Sequence, residues 1–256
     1  MVTQDELRLA VLIDADNIPS ANVSEMMNEI AKYGTPTFKR IYGDWTKPNL
    51  GGWKNVLLEN AITPIQQYSY TSGKNATDSA MIIDAMDILY SGKVDGFCIV
   101  SSDSDFTRLA TRLREAGMKV IGIGEKKTPK PFLTACDKFI YLEILSSKDE
   151  DEEEEDEKPK AGIPKAPKPR RRKKVTRIDK KTIYLIANTI DDLADDDGWA
   201  LLAKVGSLIG KKQPTFDPRN FGFAKLTDLI KSLEYFEIQQ RDSGPQNSKI
   251  VFVRNK

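Results

Sequence analysis

The amino-acid sequence predicts an α/β fold with a doubly wound parallel sheet, followed by a small α+β domain. Apolar runs typical of strands alternate with helical patterns over roughly the first 145 residues. An acidic block and then a basic, proline-rich stretch interrupt this alternation, and the chain resumes with three helical patterns and two short strands. A chain of 256 residues is long enough for two domains of this kind.

The first domain, predicted over residues 1–146, is recognised by its alternation of strands and helices. Such alternation indicates a parallel sheet with helices on both faces, because right-handed crossovers need helical connections. The strands are predicted near residues 9–13, 37–42, 61–67, 96–100, 118–123 and 138–142. The helices are predicted near residues 21–33, 50–58, 77–90 and 104–116.

A linker is predicted over residues 147–175. Every residue from Asp149 to Glu157 is acidic, and the stretch from Lys158 to Lys174 is basic and proline-rich. Blocks of like charge with almost nothing apolar to bury should stay disordered. The basic part is either a solvated spacer or a tether that binds a nucleic-acid backbone by releasing its counterions.

The second domain is predicted over residues 176–256. Helices are expected at 178–194, 199–210 and 223–232, before strands at 236–241 and 248–254 that Ser243-Gly244-Pro245 joins. Three helices followed by a terminal hairpin resemble a winged-helix arrangement.

Composition excludes several classes of function. The chain contains no histidine, which removes Ser-His and Cys-His catalysis, zinc fingers and histidine-based nucleases. Cys98 and Cys136 are not spaced as a zinc site and are expected to be buried thiols. Apolar runs such as 9–13 are far shorter than a membrane span, and the acidic N-terminus does not resemble a signal peptide. We therefore expect a cytoplasmic protein.

Acidic residues follow the carboxyl ends of four predicted strands, where ligand sites form in open α/β sheets. They are Asp14 and Asp16 after the first strand, Asp44 after the second, Asp78 at the helix after the third, and Asp103 and Asp105 after the fourth. Clustered carboxylates repel one another, and Mg²⁺ or Mn²⁺ relieves that repulsion with oxygen ligands. Such an ion can activate water and position a phosphodiester, so the cluster predicts metal-dependent hydrolysis.

Each acid taken singly also has a structural interpretation. Asp or Ser before a helix is a common N-cap, which would account for Asp78, Ser101, Ser102, Asp103 or Ser104 alone. Capping does not account for Asp14-Ala15-Asp16-Asn17 after a buried strand together with Ser102-Asp103-Ser104-Asp105 at another strand end. Asp84 and Asp87, further along the 77–90 helix, are interpreted as structural or solvated.

Two polar residues near these acids are candidates for substrate binding. Lys74 follows Gly73 as in a P-loop, but Asn75 stands where Ser or Thr is required and Tyr68 where a glycine is required. Lys74 either holds a substrate phosphate or is a solvated surface residue. Asn17 either orients a water or phosphate beside Asp14 or makes a local turn.

Four motifs of the first domain, in order, resemble those of the NYN domains, the DUF88/LabA-like group of PIN-like nucleases. They are Leu12-Ile13-Asp14-Ala15-Asp16-Asn17, Tyr42-Gly43-Asp44-Trp45, Gly73-Lys74-Asn75-Ala76-Thr77-Asp78 and Val100-Ser101-Ser102-Asp103-Ser104-Asp105-Phe106. The resemblance covers about residues 5–145. It implies a PIN-like fold and cleavage of single-stranded RNA with Mg²⁺ or Mn²⁺ held by Asp14, Asp78, Asp103 and Asp105. Asn17 and Lys74 would be supporting residues.

The second domain resembles the OST-HTH or LOTUS domains over about residues 176–256. The residues that carry this resemblance are Asp195-Asp196-Asp197-Gly198-Trp199, Phe216 to Leu226, and Leu229-Ile230. It implies RNA binding. Trp199, Leu202, Phe221, Phe223, Leu226 and Leu229 are expected in the core. Arg219, Lys225, Lys231 and Arg241 are either phosphate contacts or part of a solvated face.

The favoured function is thus a metal-dependent ribonuclease with RNA as its partner and no membrane partner. A homodimer is a further hypothesis. A second hypothesis is a non-catalytic RNA-binding adaptor that keeps the NYN fold. A third is a phosphotransferase or phosphatase with Asp14 as nucleophile, because Asp14-Ala15-Asp16 resembles the short motif of haloacid-dehalogenase-like enzymes. The rest of that family's pattern is not evident in the sequence.

Overall fold

The computed structural model describes residues 6–68, 76–145, 178–242 and 249–256. The chain divides into two units, Met1–Glu150 and Asp151–Lys256, and each is described by itself. Lys74, the predicted linker at 147–175 and the turn at 243–245 lie outside the described residues. Both cysteines are free and buried, and burial raises the pKa of each thiol. Within the described ranges, no helix has the length and apolar character needed to cross a membrane.

A six-stranded parallel sheet forms the centre of the first unit. In chain order its strands are β1 (Arg8–Asp14), β2 (Thr35–Gly43), β3 (Thr63–Gln66), β4 (Gly96–Val100), β5 (Lys119–Gly124) and β6 (Lys138–Tyr141). In space their order is β3-β2-β1-β4-β5-β6, and every neighbouring pair is parallel. The direction of winding reverses between β1 and β4. The carboxyl ends of these two strands therefore flank the position where open α/β sheets bind ligands.

Helices pack on both faces of this sheet. They are α1 (Val23–Ile30), α2 (Trp53–Glu59), α3 (Ala76–Tyr90), α4 (Thr107–Glu115), α5 (Lys130–Ala135) and α6 (Leu142–Leu145). Successive side chains of a strand point to opposite faces, and β1 shows the result. Leu9, Val11 and Ile13 belong to one apolar cluster, whereas Ala10 and Leu12 belong to the other. The two clusters confirm the predicted doubly wound parallel sheet.

The helices differ from the sequence predictions mainly at their ends. The helix predicted at 21–33 begins with the 3₁₀ turn Ser20–Asn22 and ends at Ile30, and the one predicted at 104–116 begins with the 3₁₀ turn Ser104–Phe106. The short helices α5 and α6 were not predicted, because six and four residues are too few to show a helical period.

In the second unit, the described residues form three α-helices and a small antiparallel sheet. Its elements are α7 (Lys180–Asp191), β7 (Ala200–Leu201), α8 (Leu202–Lys212), α9 (Leu226–Lys231), β8 (Phe236–Asp242) and β9 (Lys249–Asn255). The strands lie in the order β7-β9-β8. This confirms a small α+β domain with three helices before a hairpin, and β7 is an addition to the prediction. Leu202 and Leu229 are buried as expected, and Phe221, Phe223 and Leu226 pack partly buried against the core.

Candidate functional site

Three of the predicted aspartates meet at the carboxyl edge of the parallel sheet. Asp78 lies in the first turn of α3, and Asp103 and Asp105 lie in the loop that follows β4. One carboxylate oxygen from each of the three lies within 4.8 Å of the other two. The residues come together because β3, β2, β1 and β4 are neighbours in the sheet, although up to 27 positions separate the acids in the sequence.

Asp14, the last residue of β1, lies next to this group but is far more buried, with 4 % of its surface exposed. Burial raises the pKa of its carboxyl to about 7, and repulsion from Asp78 and Asp16 adds to the effect. A hydrogen bond from Ser101 Oγ to Asp14 Oδ2, 2.9 Å long, acts in the opposite direction. Asp14 is therefore partly protonated near neutral pH, whereas an ordinary surface aspartate is ionised there.

The pKa of Asp78 is raised as well. Burial is the largest cause, and the charges of Asp103, Asp105 and Asp16 follow. Two neighbouring carboxyl groups with raised pKa values mark a place where burial and the charges of other carboxylates act together. Such a place is typical of functional sites rather than of structural ion pairs.

The loop after β4 is held by its own hydroxyl and carboxylate groups. Ser101 Oγ accepts a hydrogen bond from the Asp103 backbone N–H at 3.0 Å, in addition to donating to Asp14. Asp103 Oδ1 accepts from the Asp105 N–H at 2.9 Å and caps the 3₁₀ turn. The capping interpretation is therefore correct for Asp103. It does not exclude metal binding, because a carboxylate has two oxygens and about four lone-pair positions.

Gly124, at the end of β5, lets this loop lie directly on the sheet. A Cβ atom at position 124 would be 2.6 Å from the Ser101 carbonyl oxygen and 3.0 Å from Ser102 Oγ. No Cβ atom approaches a backbone oxygen that closely. Ser102 Oγ in turn accepts a hydrogen bond from the Glu125 N–H at 2.9 Å, which fixes the loop to the end of β5.

Asn17 connects the loop after β1 to the loop after β4. Its Oδ1 accepts a hydrogen bond from the Ser102 backbone N–H at 3.2 Å. This contact gives Asn17 a structural role beside Asp14. Asp16, which was not among the predicted metal ligands, accepts from Thr77 Oγ1 at 3.4 Å and lies 3.9 Å from Lys47 Nζ. The position of Asp16 directly after Asp14 and Ala15 was the signal in the sequence that it lies beside the acidic group.

Two other acids of the same region serve the fold. Asp44 is buried and its Oδ1 accepts from Thr46 Oγ1 at 2.6 Å and from Gln66 Nε2 at 3.0 Å. Asp84 accepts hydrogen bonds from Arg40 and Tyr42, as expected for a structural residue. Asp44 therefore follows its strand as predicted, but the structure does not bring it into the carboxylate group.

The donor set fits a hard divalent cation. It consists of carboxylate oxygens alone, and Mg²⁺ and Mn²⁺ prefer such ligands. A cation would also offset the repulsion and the cost of burial that raise the pKa of Asp14 and Asp78.

In the second unit, two arginines lie over aromatic rings on the face of the small sheet. The Arg241 guanidinium carbon is 4.3 Å from the centre of the Phe252 ring, and that of Arg254 is 4.7 Å from the centre of the Trp199 ring. Trp199 is thus half-buried under arginine rather than part of the core. Both guanidinium groups also donate to neighbouring side chains, Arg254 to Glu237 Oε2 at 2.5 Å and Arg241 Nε to Gln239 Oε1 at 3.0 Å.

The two C-terminal residues predicted to bind substrate differ in their surroundings. The Arg219 guanidinium makes two hydrogen bonds to the Asp217 carboxylate, at 2.9 and 2.7 Å, and its side chain is 20 % exposed. Lys225 is exposed and occupies the N-cap position of α9. Arg219 therefore contributes to the fold, whereas the Lys225 side chain is accessible to a ligand.

Comparisons with family models give two matches. The NYN domain model matches residues 8–143, and the OST-HTH/LOTUS domain model matches residues 173–248. No curated protein matches the chain significantly.

Solved structures with similarity to parts of the chain come from several bacteria. A protein of unknown function from Vibrio parahaemolyticus is 18 % identical over 55 % of this chain and 96 % of its own, with a TM-score of 0.46. An uncharacterized protein from Nitrosomonas europaea is 28 % identical over 40 % of this chain and 91 % of its own, with a TM-score of 0.29. A protein from Chromobacterium violaceum is 30 % identical over 32 % of this chain and 86 % of its own, with a TM-score of 0.26.

Proposed function

We propose that this chain, which belongs to the NYN domain family and carries an OST-HTH/LOTUS domain, is a divalent-metal-dependent ribonuclease that hydrolyses single-stranded RNA. NYN domains are PIN-like and are in general ribonucleases, and OST-HTH/LOTUS domains bind RNA. The observation that carries the proposal is the convergence of Asp78, Asp103 and Asp105 within 4.8 Å beside the buried Asp14.

Asp14, Asp78, Asp103 and Asp105 would hold the Mg²⁺ or Mn²⁺. When bound, such an ion supplies a lowered pKa for water and stabilisation of the charge that develops on the phosphodiester and its leaving oxygen. The protein supplies the position of the ligands. Ser101 holds the Asp14 carboxylate and the Asp103 backbone at once, and Asn17 fixes the distance between the two loops. We assign Lys74 to a substrate phosphate.

RNA recruitment by the second unit is part of the proposal. On the sheet face that carries Arg241 and Arg254, the guanidinium N–H groups that are not bonded to Gln239 or Glu237 would bind phosphates or base edges. Lys225 is a further phosphate contact, whereas Arg219 acts through its ion pair with Asp217. The basic part of the linker, at 158–174, would add affinity that depends on salt.

The proposal is tested by a cleavage assay with single- and double-stranded RNA and DNA, with Mn²⁺ and with EDTA. We expect cleavage of single-stranded RNA that needs the divalent ion and falls about 100-fold or more in Asp103→Asn, because the charge of one ligand is removed. Asp87→Asn is the matched control, since Asp87 is exposed on α3, the helix that carries Asp78. Undiminished cleavage by Asp103→Asn would contradict the proposal. RNA binding without metal-dependent cleavage, unchanged by Asp14→Asn, would favour the adaptor.

The recruitment step is tested separately by titrating labelled single-stranded RNA in EDTA at several salt concentrations. Arg241→Ala combined with Arg254→Ala should weaken binding several-fold and reduce the slope of log affinity against log salt by about one for each phosphate that the protein no longer neutralises. Arg241→Lys with Arg254→Lys keeps the charge but not the planar stack, so an intermediate weakening is expected. Equal affinity for all three proteins would locate recruitment elsewhere.

A further inference from the structure

An apolar groove lies at the carboxyl ends of β2 and β3, next to the acidic residues. We propose that it binds one nucleobase of single-stranded RNA, adjacent to the phosphate that the carboxylate site acts on. This inference rests on the proposed function, because it names a substrate subsite for the same reaction. It assigns a role to the motif Tyr42-Gly43-Asp44-Trp45, which the carboxylate site leaves unused.

The groove has a volume of about 770 Å³, which lies within the range of small-ligand sites. Its walls come from the loop after β2, from α2 and from β3. The main apolar residues are Trp45, Pro48, Leu50, Leu57, Leu58 and Pro64. Leu58 is 82 % exposed although its side chain is apolar. Leu58 adds to an apolar surface that Trp45, Pro48 and Pro64 also form, and contiguous apolar surface of this kind marks binding sites.

Hydrogen bonds hold Trp45 in place before any ligand arrives. Its indole Nε1–H donates to the Ile65 carbonyl at 3.0 Å, and its backbone N–H donates to Gln66 Oε1 at 3.0 Å. Gln66 is fixed in turn by Asp44, which explains why that acid is buried in this motif. An aromatic ring that is already ordered loses little conformational freedom on binding a base.

Gly43 allows close packing between these loops. A Cβ atom at position 43 would be 2.8 Å from Leu50 Cδ1 and 3.1 Å from Ala15 Cβ. The close packing brings the wall of the groove against the loop that follows β1. The groove and the acidic residues are therefore built from adjoining loops.

Lys47 joins the groove to the carboxylate site. Its side chain lines the groove, and its Nζ lies 3.9 Å from Asp16 Oδ1. Asp16 is close enough to Asp14 and Asp78 to raise the pKa of both. A substrate that spans this distance would place a base on Trp45 and its phosphate toward the acids, with Lys47 between them.

The charges identify the ligand as a nucleic-acid strand. Lys47 and Lys54 lie among apolar walls, a combination that suits a flat base attached to a negatively charged backbone. A base can enter a side pocket only if it is unstacked and unpaired, so the groove selects single strands over duplexes. Stacking on one aromatic ring tolerates every base, and we therefore expect little sequence preference.

The experiment is photocrosslinking of the full chain in EDTA to single-stranded RNA that contains 5-iodouridine, followed by tryptic digestion and mass spectrometry. We expect adducts on Trp45 in the peptide spanning 41–54, and at least about five-fold fewer with a duplex of the same sequence. Trp45→Ala should remove them and weaken RNA binding about five-fold or more, whereas Trp45→Phe keeps a ring and should bind within about two-fold of the wild type. Thermal unfolding of each variant checks that it is folded.

A charge variant provides the matched control. Lys54→Glu should weaken binding several-fold, whereas Lys93→Glu, at the exposed amino-terminal approach to β4, should not. Adducts that avoid residues 41–54, or that persist in Trp45→Ala, would overturn the groove assignment. Crosslinks to Trp45 without any metal-dependent cleavage would support the groove and defeat the ribonuclease. Cleavage without crosslinks to Trp45 would do the reverse.

Discussion

Aspartates at the amino edge and at the carboxyl edge of the parallel sheet have different surroundings. At the amino edge, the Arg8 guanidinium and backbone N–H hold the pKa of Asp95 down to about 2. Asp137 there accepts from the Val120 N–H and lies 3.1 Å from Arg114 Nε. At the carboxyl edge, the pKa values of Asp14 and Asp78 are raised by burial and by other carboxylates. Asp95 and Asp137 each have an arginine beside them, whereas Asp14 and Asp78 have other carboxylates among their neighbours.

The largest expected effect that separates the edges is on metal affinity. Asp78→Asn combined with Asp103→Asn should weaken Mn²⁺ binding about 100-fold or more, because two of the clustered carboxylates lose their charge. Isothermal titration of Mn²⁺ into the purified chain measures it. Asp95→Asn, which changes the same residue type at the opposite edge, should leave the affinity unchanged. If both proteins bind the ion alike, the contrast between the edges has no functional meaning.

An intermediate effect is expected on stability in EDTA. The folded pKa of Asp14, about 7, lies above its ordinary value of 3.8, so the folded state binds more protons between these values. The free energy of unfolding therefore falls as pH rises from about 4 to about 7, by about 4 kcal/mol at most. Asp14→Asn removes this cost and should raise the Tm at pH 7.5 but not at pH 4. Differential scanning calorimetry at both pH values measures it.

Divalent ion provides the control for the stability measurement. Mn²⁺ should raise the Tm of the wild type at pH 7.5, because ions that bind the folded state stabilise it. It should raise the Tm of Asp14→Asn much less. A variant that is less stable than the wild type at pH 7.5 in EDTA would show that the Ser101 hydrogen bond outweighs burial.

The smallest effect is expected at the amino edge. Arg8→Ala should lower the Tm by a few degrees at most, because the Arg8–Asp95 pair is exposed to solvent. The folded pKa of Asp95 lies below 3.8, so its stabilisation is present above about pH 4 and is lost as pH falls toward 2. Melting curves at pH 7 and pH 2.5, at low and high salt, test this. RNA cleavage should not change, and a decrease in cleavage would weaken the division of roles between the edges.

Much of the fold could be predicted because buried parallel strands are continuous apolar runs. All six strands of the first sheet lie within about two residues of their predicted ranges, as the run Leu9–Ile13 in β1 illustrates. The convergence of Asp78 with Asp103 and Asp105 was also predicted, since it follows from strand order. The structural role of Asp84 was predicted as well, although its partners Arg40 and Tyr42 were not. The separation of Asp44 from the group could not be predicted, because its partner Gln66 lies 22 positions away.

Other features escaped prediction for local reasons. The sequence predicts at most helix capping for Ser101 and Ser102, whereas their hydroxyl groups connect β1, β4 and β5. Trp199 was expected in the core, because an aromatic residue in a helical pattern gives no sign of the arginines that cover it. The groove beside Lys47 was not predicted either. Its lining residues all lie between Trp45 and Gln66, but the sequence pattern does not show which of these side chains face a common cavity.

Gly124 carries no charge and touches no substrate, yet the spacing of the acids depends on it. A single methyl group there would push the Ser101 carbonyl away from the end of β5. The Ser101 hydroxyl binds both the Asp14 carboxylate and the Asp103 backbone N–H, so both would move with it. The positions of the acids thus depend on the absence of a side chain at Gly124, although β5 itself contributes none of the carboxylates. A substitution at position 124 would therefore disturb the positions of the acids without removing any of them.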